Sequence, residues 1–382
     1  MIYADYAATT PLDPQVLRKM LPYLVEQYYN PSALYPQAQA VRSAIEEARK
    51  QVSALICARN GRILFTSGGT ESDNLAVLGT ALHPAQKKRH IITSSIEHHA
   101  VLESCHWLET CGFHVTYLPV DTYGRVAEND LKAALTPDTF LVSIMWVNNE
   151  LGTIQPVSRL AQIAHEGGAL FHTDAVQAAC TQVIRAEACG VDLLSLSSHK
   201  IYGPKGCGAL YVRDGVLLSP MNHGGQQESG LRGGTENVSA IVGMGAAAKR
   251  LADNFDDSCA QLAKWKSRLL EAFSEMDGLR VDSPPDITAD SIVHLSFKDA
   301  EAEGVLFWLG RNGVQVSIGA ACNTLNMEPT HVIRAIGLPQ EYARGSIRLS
   351  LGNGLDDAQI EQIIEAVKIT LRRFQNYGGR TC

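Results

Sequence analysis

From residue 62 to residue 212 the chain alternates short apolar runs with segments of helical periodicity. That rhythm restricts the fold more than any other feature. Strand-like runs fall at 63–66, 90–95, 114–118, 140–147, 168–173, 191–197 and 207–212. Helical spacing fills the gaps, as at 71–82, and also precedes the first run. At 38–56, Val41, Ile45, Ala48, Val52 and Leu55 recur at steps of three to four residues. Strands joined through helices run parallel, because the helix carries the chain back to the starting edge. The expectation is therefore an α/β fold, with a mostly parallel central sheet covered by helices on both faces. Such a sheet places its ligands at the carboxyl ends of its strands.

Past about residue 255 the order changes. A helix at 258–276, a strand at 291–297, a helix at 301–312, a short strand at 314–317 and a last helix at 356–376 read as a smaller α+β unit. The expected division is a large domain over 15–255 and a small domain built from 1–14 and 256–382. A chain of 382 residues is long enough for both cores.

Composition narrows the function class. Apolar residues make up 45% and charged residues 19%, as in soluble globular proteins. A net charge of -7, with no dense Lys/Arg run, argues against direct nucleic-acid binding. The opening Met1-Ile2-Tyr3-Ala4-Asp5 has no basic region followed by an apolar core, and apolar stretches break well before membrane length. Nine cysteines at irregular spacing (57, 105, 111, 180, 189, 207, 259, 322 and 382) fit free thiols in a reducing cytoplasm.

The motifs that carry chemistry fall at strand ends. Ser197-Ser198-His199-Lys200-Ile201-Tyr202-Gly203-Pro204-Lys205-Gly206 puts a lysine between an apolar run and a rigid turn. A lysine that forms a Schiff base needs such a setting, because its amine must be desolvated and aimed. Asp174, in Phe171-His172-Thr173-Asp174-Ala175-Val176-Gln177, ends the preceding strand. The pair points to pyridoxal 5'-phosphate (PLP), with the lysine on the aldehyde and the acid on the ring nitrogen. Asp174 would also serve as a helix cap, with Gln177 completing a capping box or reaching the cofactor's phenolic oxygen. Ser67-Gly68-Gly69-Thr70 joins a strand to a helix, where small residues and free N–H groups suit a phosphate or a simple capped turn. His98 could stack on a ring and move protons, or be a satisfied loop histidine. No zinc spacing accompanies it. Asn149, in Asn148-Asn149-Glu150, could touch cofactor and substrate or only build a turn with Gly152.

Cys322 lies in Ser317-Ile318-Gly319-Ala320-Ala321-Cys322-Asn323-Thr324. Small flanking residues suit an exposed, travelling nucleophile better than a core thiol. Arg348, in Gly345-Ser346-Ile347-Arg348-Leu349-Ser350, could grip a carboxylate through two bonds or form an ordinary ion pair.

Together these segments resemble the cysteine desulfurases of the NifS/IscS type, in the fold-type I, class V aminotransferase group. Tyr3-Ala4-Asp5-Tyr6-Ala7-Ala8-Thr9-Thr10-Pro11 is similar to the family's opening, and Asn30-Pro31-Ser32 to its next landmark. The resemblance implies that Gly69 and Thr70 belong to the phosphate loop. It makes His98 the stacking histidine and Asn149, Asp174 and Gln177 cofactor contacts, with Ser197, His199 and Lys200 in the Schiff-base motif. In Gly230-Leu231-Arg232-Gly233-Gly234-Thr235-Glu236-Asn237, Thr235 would reach the phosphate of a partner subunit, which implies a homodimer. Cys322 falls on the catalytic cysteine, and Asn149 and Arg348 on substrate contacts.

The implied reaction takes sulfur from L-cysteine, leaving L-alanine and a persulfide on Cys322 for an acceptor protein. Lys200 would move the Cα proton. A free thiol is mostly protonated at neutral pH, so His98 or a transient basic neighbour has to take its proton. The stretch between Cys322 and Arg348 is similar to the long-loop subgroup, whose loop carries the persulfide outward. The chain departs from the family at Ile318-Gly319-Ala320-Ala321-Cys322, where the usual approach carries hydroxyls, and at Asn353-Gly354-Leu355. It also lacks the tail that housekeeping members use to recruit an iron–sulfur scaffold. Iron–sulfur assembly, tRNA thiolation and DNA phosphorothioate modification are the expected destinations for the sulfur, with the departures favouring the specialised ones. A class V aminotransferase, a selenocysteine lyase and a non-enzymatic sulfur-relay scaffold are the alternatives.

Overall fold

The computed structural model describes residues 1–319 and 328–377. Its strands are β1 (Ile2–Tyr3), β2 (Arg62–Thr66), β3 (His90–Ser94), β4 (His114–Leu118), β5 (Thr139–Ser143), β6 (Leu170–Asp174), β7 (Leu193–Ser197), β8 (Gly208–Val212), β9 (Leu279–Val281), β10 (Ile292–Phe297), β11 (Val314–Gln315) and β12 (Ser346–Ser350). The helices are α1 (Pro14–Val25), α2 (Pro36–Leu55), α3 (Gly69–Ala81), α4 (His99–Thr110), α5 (Glu128–Ala134), α6 (Val157–Glu166), α7 (Val238–Asp253), α8 (Phe255–Phe273), α9 (Ala302–Arg311), α10 (His331–Ala335), α11 (Gln340–Ala343) and α12 (Asp357–Tyr377).

The main sheet has the order β2-β8-β7-β6-β5-β3-β4. Strands β7, β6, β5, β3 and β4 pair in parallel, while β8 runs antiparallel to both of its neighbours. The mostly parallel sheet expected from the rhythm is thus the one observed. Its strands are apolar on both faces because successive side chains point to opposite sides. Ile92, Val142 and Leu194 enter the core shared with α2, α6 and α7. Their neighbours Ile91, Leu141 and Leu193 enter the core under α3 and α4. Helices α2 and α7 approach so closely that a Cβ on Gly245 would stand 2.5 Å from Ala48 Cα.

A second core gathers α8, α9, α12 and the antiparallel sheet β12-β10-β9. Ile2, Ala4 and Tyr6 belong to it, and β1 pairs in parallel with β11. A small separate cluster packs Val332, Ile333 and Ile336 of α10 on Ile96 and Leu151.

One strand is shorter than its apolar run suggests. β5 stops at Ser143, whereas the run extends to 147. Beyond Ser143 the Met145 N–H turns to the Glu97 carboxylate at 3.0 Å, so no strand claims it. No described helix is long and apolar enough to cross a membrane.

Candidate active site

Lys200 closes a 3₁₀ turn, Ser198–Lys200, that leaves the end of β7. The turn is tight. A Cβ on Gly203 would fall 2.1 Å from Ser198 Oγ. Tyr202 takes a left-handed φ of +65°, a strained position for a bulky residue. Two contacts compensate it: its N–H donates to Thr10 Oγ1 (2.8 Å), and its hydroxyl accepts from Asn353 N (2.7 Å). Lys200 Nζ donates to the carbonyls of Ala7 and Ala8. Thr10 Oγ1 also donates to His199 O (2.9 Å), and His199 Nδ1 lies 3.1 Å from Thr9 Oγ1. The segment 7–10 therefore brackets the lysine turn.

Asp174 ends β6 and is buried. Its Oδ1 accepts from Val176 N at 2.9 Å, but the expected helix cap is not there, because residues 176–181 form a turn and no helix follows β6. Burial pushes its carboxyl above the usual range, while His98 and Lys200 oppose the shift. Gln177 is not part of a capping box, since its Nε2 donates to Ala7 O (2.8 Å).

Beneath Asp174 lies a polar layer inside the sheet. His172 bridges Ser143 Oγ (2.8 Å) and Ser195 Oγ (3.1 Å), and stands 3.6 Å from Asp73. Burial lowers the His172 pKa to about 3 and drives that of Asp73 up, with Asp174 adding to the latter.

His98 caps α4, with Nδ1 accepting from Ala100 N (3.1 Å). An accepting Nδ1 leaves the proton of the neutral ring on Nε2. Burial lowers its pKa and Asp174 opposes that shift, with Lys200, His99 and His331 reinforcing it. His98, Asp174 and Lys200 thus form one electrostatic group at adjoining ends of the sheet.

Gly69 opens α3, and no side chain caps that helix. The capped turn that was the plain reading of this loop is therefore not there, and Thr70 sits exposed in the first turn. A Cβ on Gly69 would lie 2.9 Å from Val176 Cγ2 and 3.7 Å from Ser197 Cβ, so only glycine leaves this cradle open. Ser197 Oγ is buried there with no hydrogen-bond partner among the described residues.

The two asparagines divide their roles. Asn148 builds the turn, accepting from Glu150 N and Leu151 N at 2.9 Å and donating to Ile96 O. Asn149 lends its carbonyl to Arg348 Nη1 (2.7 Å). Arg348, on β12, is buried and pairs with Asp5 at 2.8 Å, and its Nε has no partner among the described residues. Thr235 is exposed and lines a separate cavity with Ser67 and Arg232, apart from Lys200. Cys322 lies outside the described residues.

The donor set fits PLP. An uncapped helix start beside an orphaned buried hydroxyl suits a phosphate. A buried carboxyl at the end of a strand suits a ring nitrogen. The sequence reading missed the carbonyls of Ala7 and Ala8, the Asp73–His172 layer, and Glu97, whose pKa burial raises to about 8. The paired hydroxyls of Thr9 and Thr10 were the available signal for the first of these.

Comparison with known proteins agrees. The family model described as "Aminotransferase class-V" matches residues 2–363. A protein of Methanosarcina thermophila named "Cysteine desulfurase IscS" is 44% identical over 380 residues, covering 100% of this chain and 94% of its own. A solved "NIFS-LIKE PROTEIN" superposes with a TM-score of 0.91 at 34% identity, covering 97% of this chain and 99% of that one. A structure titled "SspA in complex with cysteine" reaches a TM-score of 0.82 at 39% identity, over 92% of this chain and 99% of that one.

Proposed function

The chain belongs to the class-V aminotransferase family, among its cysteine desulfurases, and we propose from that premise how its residues share the removal of sulfur from L-cysteine. The observation that carries the reading is the convergence of Lys200, Asp174 and His98 beside the uncapped start of α3 and the orphaned Ser197 hydroxyl. Bound there, PLP would supply a sink for the electrons of bonds broken at the substrate's Cα.

Lys200 holds the cofactor and moves the Cα proton through Nζ. Asp174 would pair with the cofactor's ring nitrogen, and His98 would stand beside its ring. Gln177 and His199 belong to the cofactor's surroundings. Gly69, Thr70 and Ser197 receive the phosphate, with Thr235 supplied from the second subunit of a homodimer. Arg348 and Asn149 orient the substrate, Arg348 through the Nε that has no partner among the described residues. Cys322 takes the sulfur. The exchange balances as one L-cysteine and one thiol giving one L-alanine and one persulfide. The two cores act as a large cofactor-binding unit over 15–255 and a small unit of 1–14 and 256–382. The persulfide passes to an acceptor protein, for iron–sulfur assembly, tRNA thiolation or DNA phosphorothioate modification; the departures around Cys322 favour the specialised routes.

The test is direct. The purified protein is incubated with L-cysteine, and sulfide and alanine are measured beside Cys322→Ser and Lys200→Ala. Both variants are expected to lose alanine formation, and Lys200→Ala also the yellow absorbance of bound cofactor. Full activity in Cys322→Ser would overturn the persulfide assignment.

A further inference from the structure

Helix α3 opens at Gly69, and one turn later the same helix face carries Asp73, which has no part in the scheme above. Asp73 is only 1% exposed. On β6, His172 and Asp174 point to one face of the sheet, because side chains alternate along a strand. Asp73 stands against His172, with Oδ1 3.6 Å from Nε2, too far for a hydrogen bond. Both nitrogens of His172 are already engaged, by Ser143 Oγ at 2.8 Å and Ser195 Oγ at 3.1 Å. Asp73 Oδ1 is buried with no hydrogen-bond partner among the described residues.

Asp73 and Asp174 are both buried acids, but their surroundings differ. Asp174 accepts from Val176 N at 2.9 Å, and His98 and Lys200 favour its charge. Among the described residues no lysine or arginine pairs with Asp73, and the Ser195 hydroxyl alone favours its charge. The ionisable groups facing it are His172, which burial keeps neutral, and Asp174 and Glu97, which repel a negative charge on it. A buried carboxylate with an oxygen left unpaired takes up a proton rather than carry its charge there. Neighbouring carboxyls do not both ionise, and the one with donors and cations beside it keeps the charge. Burial and the nearby Asp174 accordingly push Asp73 well above the usual carboxylate range.

We propose that Asp73 is a neutral carboxylic acid, and that by keeping a proton beneath Asp174 it leaves Asp174 as the ionised partner of the cofactor's ring nitrogen. The proposal rests on the reading of Asp174 as that partner. Asp73 acts through Asp174 and is a positioning residue. A second ionised acid beside Asp174 would raise the affinity of Asp174 for a proton, and a protonated Asp174 has no charge to offer the ring.

The test follows the Asp73 proton in the PLP-loaded enzyme. An infrared difference spectrum, wild type minus Asp73→Asn at about pH 7, should show the carbonyl stretch of one protonated carboxyl. A carboxylate band in its place would overturn the proposal. Stability gives a second reading. Above about pH 3.9 the unfolded chain sheds the Asp73 proton that the folded chain keeps, so the stability this proton confers is lost as the pH rises. The urea midpoint of Asp73→Asn should therefore gain on that of wild type from about pH 4.5 to about 7.5, and parallel curves would contradict the proposal. In an Asp174→Asn background the same gain should shrink, because the carboxylate that repels Asp73 is gone. A gain of equal size there would uncouple the two acids and remove the positioning role. Asparagine is as neutral as a protonated acid, so Asp73→Asn should keep the yellow absorbance of bound cofactor. Loss of that absorbance in the folded variant would show that a charge is needed at Asp73, against the proposal. Should Asp73→Asn not fold, Asp73→Ser is read by the same spectra and midpoints. Unchanged alanine formation in Asp174→Asn would instead sink the underlying reading, whatever Asp73 holds.

Discussion

His172 is enclosed on all sides, and its proton affinity follows from that. Burial holds its pKa near 3, against about 6.5 in an unfolded chain. Between those values the unfolded state binds a proton that the folded state refuses. Stability therefore falls as the pH drops from about 6.5 towards 3. Urea midpoints should decline over this range more steeply in the wild type than in His172→Gln, and parallel curves would count against the assignment. Asp174→Asn should keep cofactor on Lys200 yet form alanine about a hundredfold slower or worse, read by absorbance and by alanine release on one sample. Lys200, Asp174 and His98 were legible in the sequence because each stands where an apolar run meets a turn. The Ala7 and Ala8 carbonyls were not, since their place beside the lysine arises from a contact between distant segments.

At the scale of elements, the glycine cradle and the helix pair α2 and α7 carry the sharpest constraints. Gly69→Val would drive a side chain into Val176, whose Cγ2 is only 2.9 Å from the Cβ position. PLP should then bind the apo protein at least about tenfold more weakly, measured by absorbance titration, with a thermal midpoint close to wild type. Gly245→Leu would wedge α2 from α7 at Ala48, and overpacking of this kind costs about 1–3 kcal/mol in urea unfolding. Element order was readable from periodicity alone, as in α2, where Val41, Ile45, Ala48 and Val52 of the five residues the spacing selects are buried and Leu55 is half-buried. Ends were less so. The 140–147 run looks like one strand because apolar character does not reveal that the Glu97 carboxylate takes the Met145 N–H. The pairing of β1 with β11 was equally hidden, because a two-residue strand has no period to read.

At the scale of the molecule, the two cores are tied by buried polar contacts. Lys266 of α8 donates to Thr288 O (2.9 Å), Thr288 Oγ1 (2.6 Å) and Ala289 O (2.9 Å), on a segment that itself bonds Gly152. Burial lowers its pKa to about 8. Between about 8 and the ordinary 10.4 the unfolded chain keeps a proton that the folded chain has shed, so stability rises with pH across that window. The urea midpoint of the wild type should gain on that of Lys266→Met from pH 8 to 10, and an unchanged gap would contradict this.

The other tie is the opening segment. Asp5 pairs with Arg348, Ala7 N donates to Ser350 Oγ at 2.9 Å, and the Ala7 and Ala8 carbonyls hold the Lys200 amine. Residues 2–10 leave the ribosome some 340 residues before the strand that fixes them. Until then those carbonyls have no fixed place beside the lysine. The surroundings of the lysine are therefore among the last parts of the molecule that synthesis can complete.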